Sequence, residues 1–164
     1  MPSTIRMFAR YNQWANRRLY EAAARLTPAE YRADHGAFFR SLKGTLNHIL
    51  VGDRVWMSRF TGTGPVPSRL DEILFEDFAA LRAAREAEDA RIVAWADGLD
   101  EAALAGRFTY RPLTRPEPIT QPLWHFFNHQ THHRGQAHVI LTRTTGEGPE
   151  LDLILYQRET GDGL

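Results

Sequence analysis

Five of the seven histidines of this chain fall between residues 125 and 138, inside the run LWHFFNHQTHHRGQAHVILTRT that covers residues 123–144. Imidazole is the commonest protein metal ligand and the usual proton carrier near neutral pH, so the direction of each ring is the first question. The same run has the apolar spacing of a buried helix. With His133 at zero and about 100° per residue, Phe126, His129, Ala137 and Ile140 fall within roughly 40° of it. His129 and His133 therefore share the face that points at a core. His125 and His132 lie on one flank, and His138 points away. Two imidazoles one turn apart have Cβ atoms about 5–6 Å apart, close enough for both to reach one ion at roughly 2.0–2.1 Å. The same two rings could be hydrogen-bonded core histidines, with each unpaired buried group costing roughly 1–3 kcal/mol. For the pair alone the two readings stand level. A third ligand from another element decides between them.

The elements that could supply it are helices. Ser41 suits the cap of a helix from Leu42 to about Phe60, in which Leu42, Leu46, Ile49, Trp56 and Phe60 form one stripe and Val51 and Val55 a second. A helix this apolar is buried on several sides. His48 lies on the Val51 and Val55 side, with Gly44 and Gly52 one turn before and after it, and these small residues allow another helix or a ligand to come close. Asp53 lies about 140° from His48 and reads as an acid that supports a site or the structure rather than as a further ligand.

The remaining chain frames these two helices. Ser3 or Thr4 can cap a first helix that runs to about Leu26 and is closed by Thr27-Pro28, with Ile5, Phe8, Tyr11, Ala15, Leu19 and Ala22 at helical spacing. Asn12 and Asn16 within it read as polar contacts between helices, with a role at a site as the second reading. Residues 28–40 form a connector, and TGTGPVP from Thr61 is a loop without the spacing of a phosphate-binding motif. A third helix is strongest from about Glu76 to Trp95. Arg85 and Glu88 interrupt its stripe and are expected to be solvated or paired with each other. Prolines at 112, 116, 118 and 122 exclude a helix after a short one at 100–106, so a small β-hairpin is expected over 107–119. Thr120 is the expected cap of the histidine helix, and LDLILYQRE from Leu151 suggests a short final one. The architecture is an all-α four-helix bundle with a small hairpin before the last long helix.

At 164 residues the chain is expected to form one domain, 1–164. Its formal net charge is zero, which writes no nucleic-acid or acidic-membrane footprint into the composition. The absence of cysteine removes disulfides, thiolate nucleophiles and Cys-type zinc sites, so any metal is held by imidazole or oxygen. The N-terminal residues lack an unbroken apolar run, so neither a signal peptide nor a membrane span is expected and the cytoplasm is the expected location.

Four stretches, YNQWANRRL (11–19), SLKGTLNHILVGDRVW (41–56), NHQTHHRGQAH (128–138) and PELDLILYQRE (149–159), together resemble the DinB/YfiT family of small metal-binding four-helix bundles. In that family one histidine comes from the second helix and two, spaced by four, from the last long helix; the matching positions here are His48, His129 and His133. The resemblance implies a divalent ion, zinc or nickel as a rule, with open coordination positions. It also implies an up-down-down-up bundle and a homodimer. Because the superfamily includes thiol-cofactor S-transferases and a thiol-dependent isomerase, metal-assisted thiol transfer on a small-molecule substrate is the leading expectation. A hydrolase comes second, and no HExxH motif is present, since Asn128 and Gln130 flank His129. A non-catalytic, stress-associated metal- or ligand-binding protein is the alternative. A polar substrate pocket over the metal would favour catalysis, and its candidate residues are Arg59, Asn12, Asn16, Gln136 and His132. A purely structural metal would need a closed fourth position, for which His125 and His132, on the flank, are poorly directed.

Overall fold

The structure, a computed structural model, describes residues 1–110 and 114–163. Helix α1 (Pro2–Ala23) begins at Pro2, whose fixed φ and missing N–H suit a first helical turn. Met1 takes the N-cap position, so neither Ser3 nor Thr4 caps it as expected. The connector after it holds one helical turn, α2 (Pro28–Arg32). A capping box closes this turn: Thr27 Oγ1 accepts from the Glu30 N–H, and the Glu30 carboxylate accepts from the Thr27 N–H. Helix α3 (Leu42–Thr61) starts where Ser41 Oγ accepts the Gly44 N–H at 3.0 Å. Helix α4 (Phe78–Asp97) starts slightly later than expected, because Asp77 Oδ1 caps it by accepting the Ala80 N–H at 2.8 Å.

A single turn, α5 (Glu101–Leu104), leads into strands β1 (Arg107–Phe108) and β2 (Glu117–Pro118), which pair antiparallel with Arg107 opposite Pro118 and Phe108 opposite Glu117. Residues 111–113 of the expected hairpin lie outside the described residues. The histidine helix, α6 (Thr120–Thr145), has Ile119 at its N-cap, so Thr120 is its first residue rather than its cap. The last helix is α7 (Leu153–Thr160).

The four long helices close a ring in which α1 and α3 each pack between α4 and α6. Their directions follow from the contacts. Asn16 meets Asp89 while Arg10 meets Asp97, so α1 and α4 run antiparallel. His48 meets His133 and Trp56 meets His125, so α3 and α6 are antiparallel as well. Phe8 stacks on Phe127 and Arg134 reaches Asn12, so α1 and α6 run parallel. The order is up-down-down-up, as the resemblance implied. The apolar excess of α3 is covered within the chain: Leu46, Ile49, Leu50, Val51 and Met57 are all essentially buried.

The described core has three apolar blocks: one around Leu19, Leu46, Leu50 and Ile140, one around Ile5, Met57, Ile92 and Phe126, and a smaller one of Met7, Tyr11, Trp14, Ala15 and Tyr156 between α1 and α7. Between the first two lies a layer of buried polar side chains drawn from all four long helices. Arg85 is completely buried, donating to Asp53 and standing 3.0 Å from Asp89. Asn16 donates to Asp89 at 2.9 Å, Gln130 donates to Asp53 at 2.5 Å, and Arg134 donates to Asn12. Two arginines face two aspartates, so the layer is neutral as a unit, as buried charges must be. Burial pushes Asp89 up to about 6, against the pull of Arg85. Burial also lowers the Arg85 guanidinium, but Asp89 and Asp53 more than reverse this and its net shift is upward. Arg85 and Glu88 are thus neither solvated nor paired with each other, contrary to the expectation from their spacing. Glu88 is buried as well and pairs with Arg91 at 2.8 Å and Arg54 at 3.8 Å. The stripe of α4 was interrupted because its inward positions carry the bundle's central ion pairs.

Candidate metal centre

The site forms where α3 and α6 cross side by side. His48 projects from the middle of α3, one turn beyond Gly44. A Cβ at Gly44 would meet the Phe39 carbonyl oxygen at 2.1 Å, so only glycine lets the 33–40 loop come this close. That approach lays the Phe39 ring on the His48 ring, with centroids 3.8 Å apart and planes 17° apart. The loop after α3 returns to accept the other side of the ring: Leu70 O accepts from His48 Nδ1 at 2.7 Å.

Gly52, the next turn of α3, makes room for the second helix. A Cβ there would stand 2.8 Å from His129 Cε1. Gly52→Ala should therefore swing the His129 ring away and lower metal affinity by about tenfold in a chelator-competition titration. The helix itself should gain about 0.8–1.0 kcal/mol in propensity. Unchanged affinity in a folded variant would show that this ring does not bind the ion.

His133, one turn on from His129, donates Nδ1–H to Gln136 Oε1 at 2.9 Å, and Gln136 Nε2 donates to His132 Nε2 at 3.1 Å. The carbonyl oxygens of Leu70 and Gln136 can only accept, so the protons of His48 and His133 sit on Nδ1. Both Nε2 atoms are then bare lone pairs, and they face each other at 3.2 Å. His48 Nε2 also lies 3.3 Å from His129 Nε2. Two acceptors at this distance with no proton between them repel, and a cation between them removes the conflict. A tetrahedral ion with bonds of about 2.0–2.1 Å has ligand atoms about 3.3–3.4 Å apart, close to the 3.2 and 3.3 Å of these two pairs. The three histidines are the group among the described residues whose ligand atoms come within 4.8 Å of one another.

The surroundings favour neutral rings, the form that binds metal. Burial under Phe39 lowers His48, partly opposed by its bond to Leu70. Burial, then the charges of the adjacent imidazoles, pushes His129 down to about 3. Burial likewise lowers His133.

Beside the rings opens a groove of about 570 Å³. Phe38, Phe39 and Leu70 give it an apolar wall, His48 and His133 edge it, and Asp71, His132 and Gln136 are its polar members. Of the residues named from sequence as pocket candidates, Gln136 and His132 are here. Arg59 lies farther along the same seam, beside Trp56. Asn12 and Asn16 do not reach the site; they belong to the buried polar layer, as does Asp53. His125 and His132 are exposed on the flank, and His138 packs by Gly148, far round α6. Phe38, Phe39, Leu70 and Asp71 went unseen because they come from loops with no period to read. The glycine before His48 was the one signal of Phe39's approach.

Fold and centre together define a helical bundle with three imidazoles converging from two antiparallel helices beside an open groove. The chain belongs to the DinB family, whose model matches residues 1–162. Neither the search of curated proteins nor that of solved structures returned a match.

Proposed function

We propose that the protein is a metal-dependent enzyme that activates a small-molecule thiol, an S-transferase in type, with zinc or nickel bound by His48, His129 and His133. The observation that carries this reading is the pair of unprotonated Nε2 atoms of His48 and His133, 3.2 Å apart, on two rings that line an open groove. A divalent ion bound there would supply Lewis acidity that lowers the pKa of a substrate thiol. The chain's own residues do the rest. Leu70 O and Gln136 Oε1 fix the tautomers and the ring directions. Phe38, Phe39 and Leu70 hold the apolar part of a substrate and keep water from the rings. Peptide hydrolysis is less well supported. Asn128 and Gln130 flank His129, and Asp71, the carboxylate on the groove, accepts two bonds from Arg69 at 2.9 and 2.7 Å.

The working form in this reading is a homodimer. Its support is the outer face of α6, where Trp124, Asn128, Thr131, Gly135 and Val139 form an exposed stripe without charge. A monomeric mass by light scattering at micromolar concentration would count against it. The setting is taken to be the cytoplasm; among the described residues no helix is long and apolar enough to cross a membrane.

The test of thiol activation is a titration of cobalt-loaded protein with 6-mercaptohexanol. A new sulfur-to-cobalt charge-transfer band that saturates is expected. A visible spectrum unmoved by the thiol, in protein with full cobalt occupancy, would remove the thiol from the reading.

A further inference from the structure

The seam between α3 and α6 continues past the three histidines. Gly52 lies against His129, and one turn on Trp56 faces His125, with ring centroids 5.2 Å apart. His125 is in turn 5.6 Å from His129. The next turn of α3 brings Arg59, whose guanidinium carbon lies 4.6 Å from the Trp56 ring centroid and 4.7 Å from that of Tyr110, just after β1. A run of adjoining rings thus links this guanidinium to the metal centre on the side away from the apolar groove.

Arg59 differs from the other buried and partly buried arginines in what it lacks. Arg54 and Arg91 pair with Glu88, Arg85 with Asp53 and Asp89, and Arg18 with Glu159. Among the described residues Arg59 has neither a carboxylate nor a hydrogen-bond partner. Positions 111–113 and 164 are Arg, Pro, Leu and Leu, so they add no acidic side chain. Two aromatic neighbours contribute about 0.5–1 kcal/mol each at a partly exposed site, yet use none of the five N–H donors. Burial lowers the Arg59 pKa, opposed only by Tyr110. A partly desolvated cation, held in place by two rings and with no acceptor for its donors among the described residues, is suited to take an anion. The planar fork fits a carboxylate through two parallel bonds.

We propose that Arg59 binds a carboxylate of the substrate, so that the centre acts on anionic small molecules whose reacting atom and carboxylate are separated by several bonds. This rests on the reading of His48, His129 and His133 as a metal centre with an open position. Arg59 is seven residues, about 10 Å of helix, beyond Gly52, and its side chain turns back over Trp56. The carboxylate then lies about 6–10 Å along the seam from the histidines, and four or five methylenes span that gap. Arg59 sets specificity in this scheme; it does not touch the reacting atom.

Hydroxamates test this without relying on thiol chemistry, because a hydroxamate binds an open divalent centre whatever the natural substrate. Cobalt-loaded full-length protein is titrated with adipic acid monohydroxamate, which carries a distal carboxylate, and with hexanohydroxamate, which does not. The wild type should bind the carboxylate-bearing probe about tenfold more tightly. Arg59→Gln should bring the two affinities together while keeping the metal content and the hexanohydroxamate affinity. Arg59→Lys, which keeps the charge but loses the fork, should fall between. Equal affinities in the wild type, or a preference that survives in Arg59→Gln, would overturn the assignment and leave the metal centre standing. If neither hydroxamate altered the cobalt spectrum, the open centre itself would be wrong, and this assignment with it.

Discussion

Arg85→Met should destabilise the protein by about 3–5 kcal/mol, read as a drop in the urea midpoint of unfolding. Arg85 is 1% exposed and stands between Asp53 and Asp89, themselves 0% and 4% exposed. Methionine has nearly the right volume and keeps the apolar contacts, so the cost comes from two aspartates left in the interior with their main countercharge removed. The balance matters more than any single bond. Breaking a buried pair from one side is expensive, whereas replacing the whole set by apolar residues of like volume is often neutral. Arg85→Met combined with Asp53→Leu and Asp89→Leu should therefore recover much of the loss. A single-variant cost below about 1 kcal/mol would mean that the layer behaves like a set of surface pairs and does not bind the four helices together.

Chelation at pH 7.5 should lower the melting temperature by roughly 5–11 °C while the helical circular dichroism stays. An ion at a hundred times its dissociation constant contributes about 2.7 kcal/mol through linkage, which for a domain of this size is a shift of roughly 5–11 °C. The apolar blocks on either side of the polar layer do not depend on the ion, so the bundle stays folded without it.

The pH dependence follows from the downward shifts of His48, His129 and His133. In the unfolded chain these rings take up protons near about 6.5; in the folded chain they do so lower, at about 3 for His129. Between those values the unfolded state binds more protons. Stability from these rings is therefore full above about 6.5 and is lost as the pH falls toward the folded values. Because the metal-free rings are already held neutral, protons compete with the ion late. The gap between metal-loaded and metal-free protein should persist at pH 6 and close only near or below about pH 5. Identical melting temperatures for the two forms at pH 7.5, with full occupancy confirmed, would show that the ion contributes nothing to the fold.

What could be read from sequence divides along physical lines. The long helices were legible because apolar spacing at three and four is imposed by burial along one element, and Ser41 marked the start of α3 chemically. That His129 and His133 turn to one side of α6 was legible for the same reason, since direction on a helix follows from spacing alone. That His48 completes the group rested on resemblance; its neighbours Gly44 and Gly52 hinted at close approach but not at what approaches. Phe39 and His129 fill those two gaps, one from a loop and one from a helix about 80 residues away in the chain. The buried charges were misread because spacing alone does not choose among the candidate partners. Arg85 and Glu88 look like partners at a spacing of three, yet Arg85 pairs with Asp53 of α3 and Asp89 of its own helix, and Glu88 with Arg91 of its own helix and Arg54 of α3. Helix starts failed where proline or a nearby competitor took over: Pro2 moved the start of α1 ahead of Ser3, and Ile119 took the cap position ahead of Thr120.

The most direct measurement is metal content per chain after purification and exhaustive dialysis, by elemental analysis, for the wild type, His48→Ala and His138→Ala. One divalent ion per chain is expected in the wild type and in His138→Ala, whose ring lies away from the centre. His48→Ala should retain little or none, because it removes one of the two lone pairs that face each other at 3.2 Å. Full occupancy in His48→Ala, or a metal-free wild type that cannot be loaded with zinc, nickel or cobalt, would contradict the three-histidine centre.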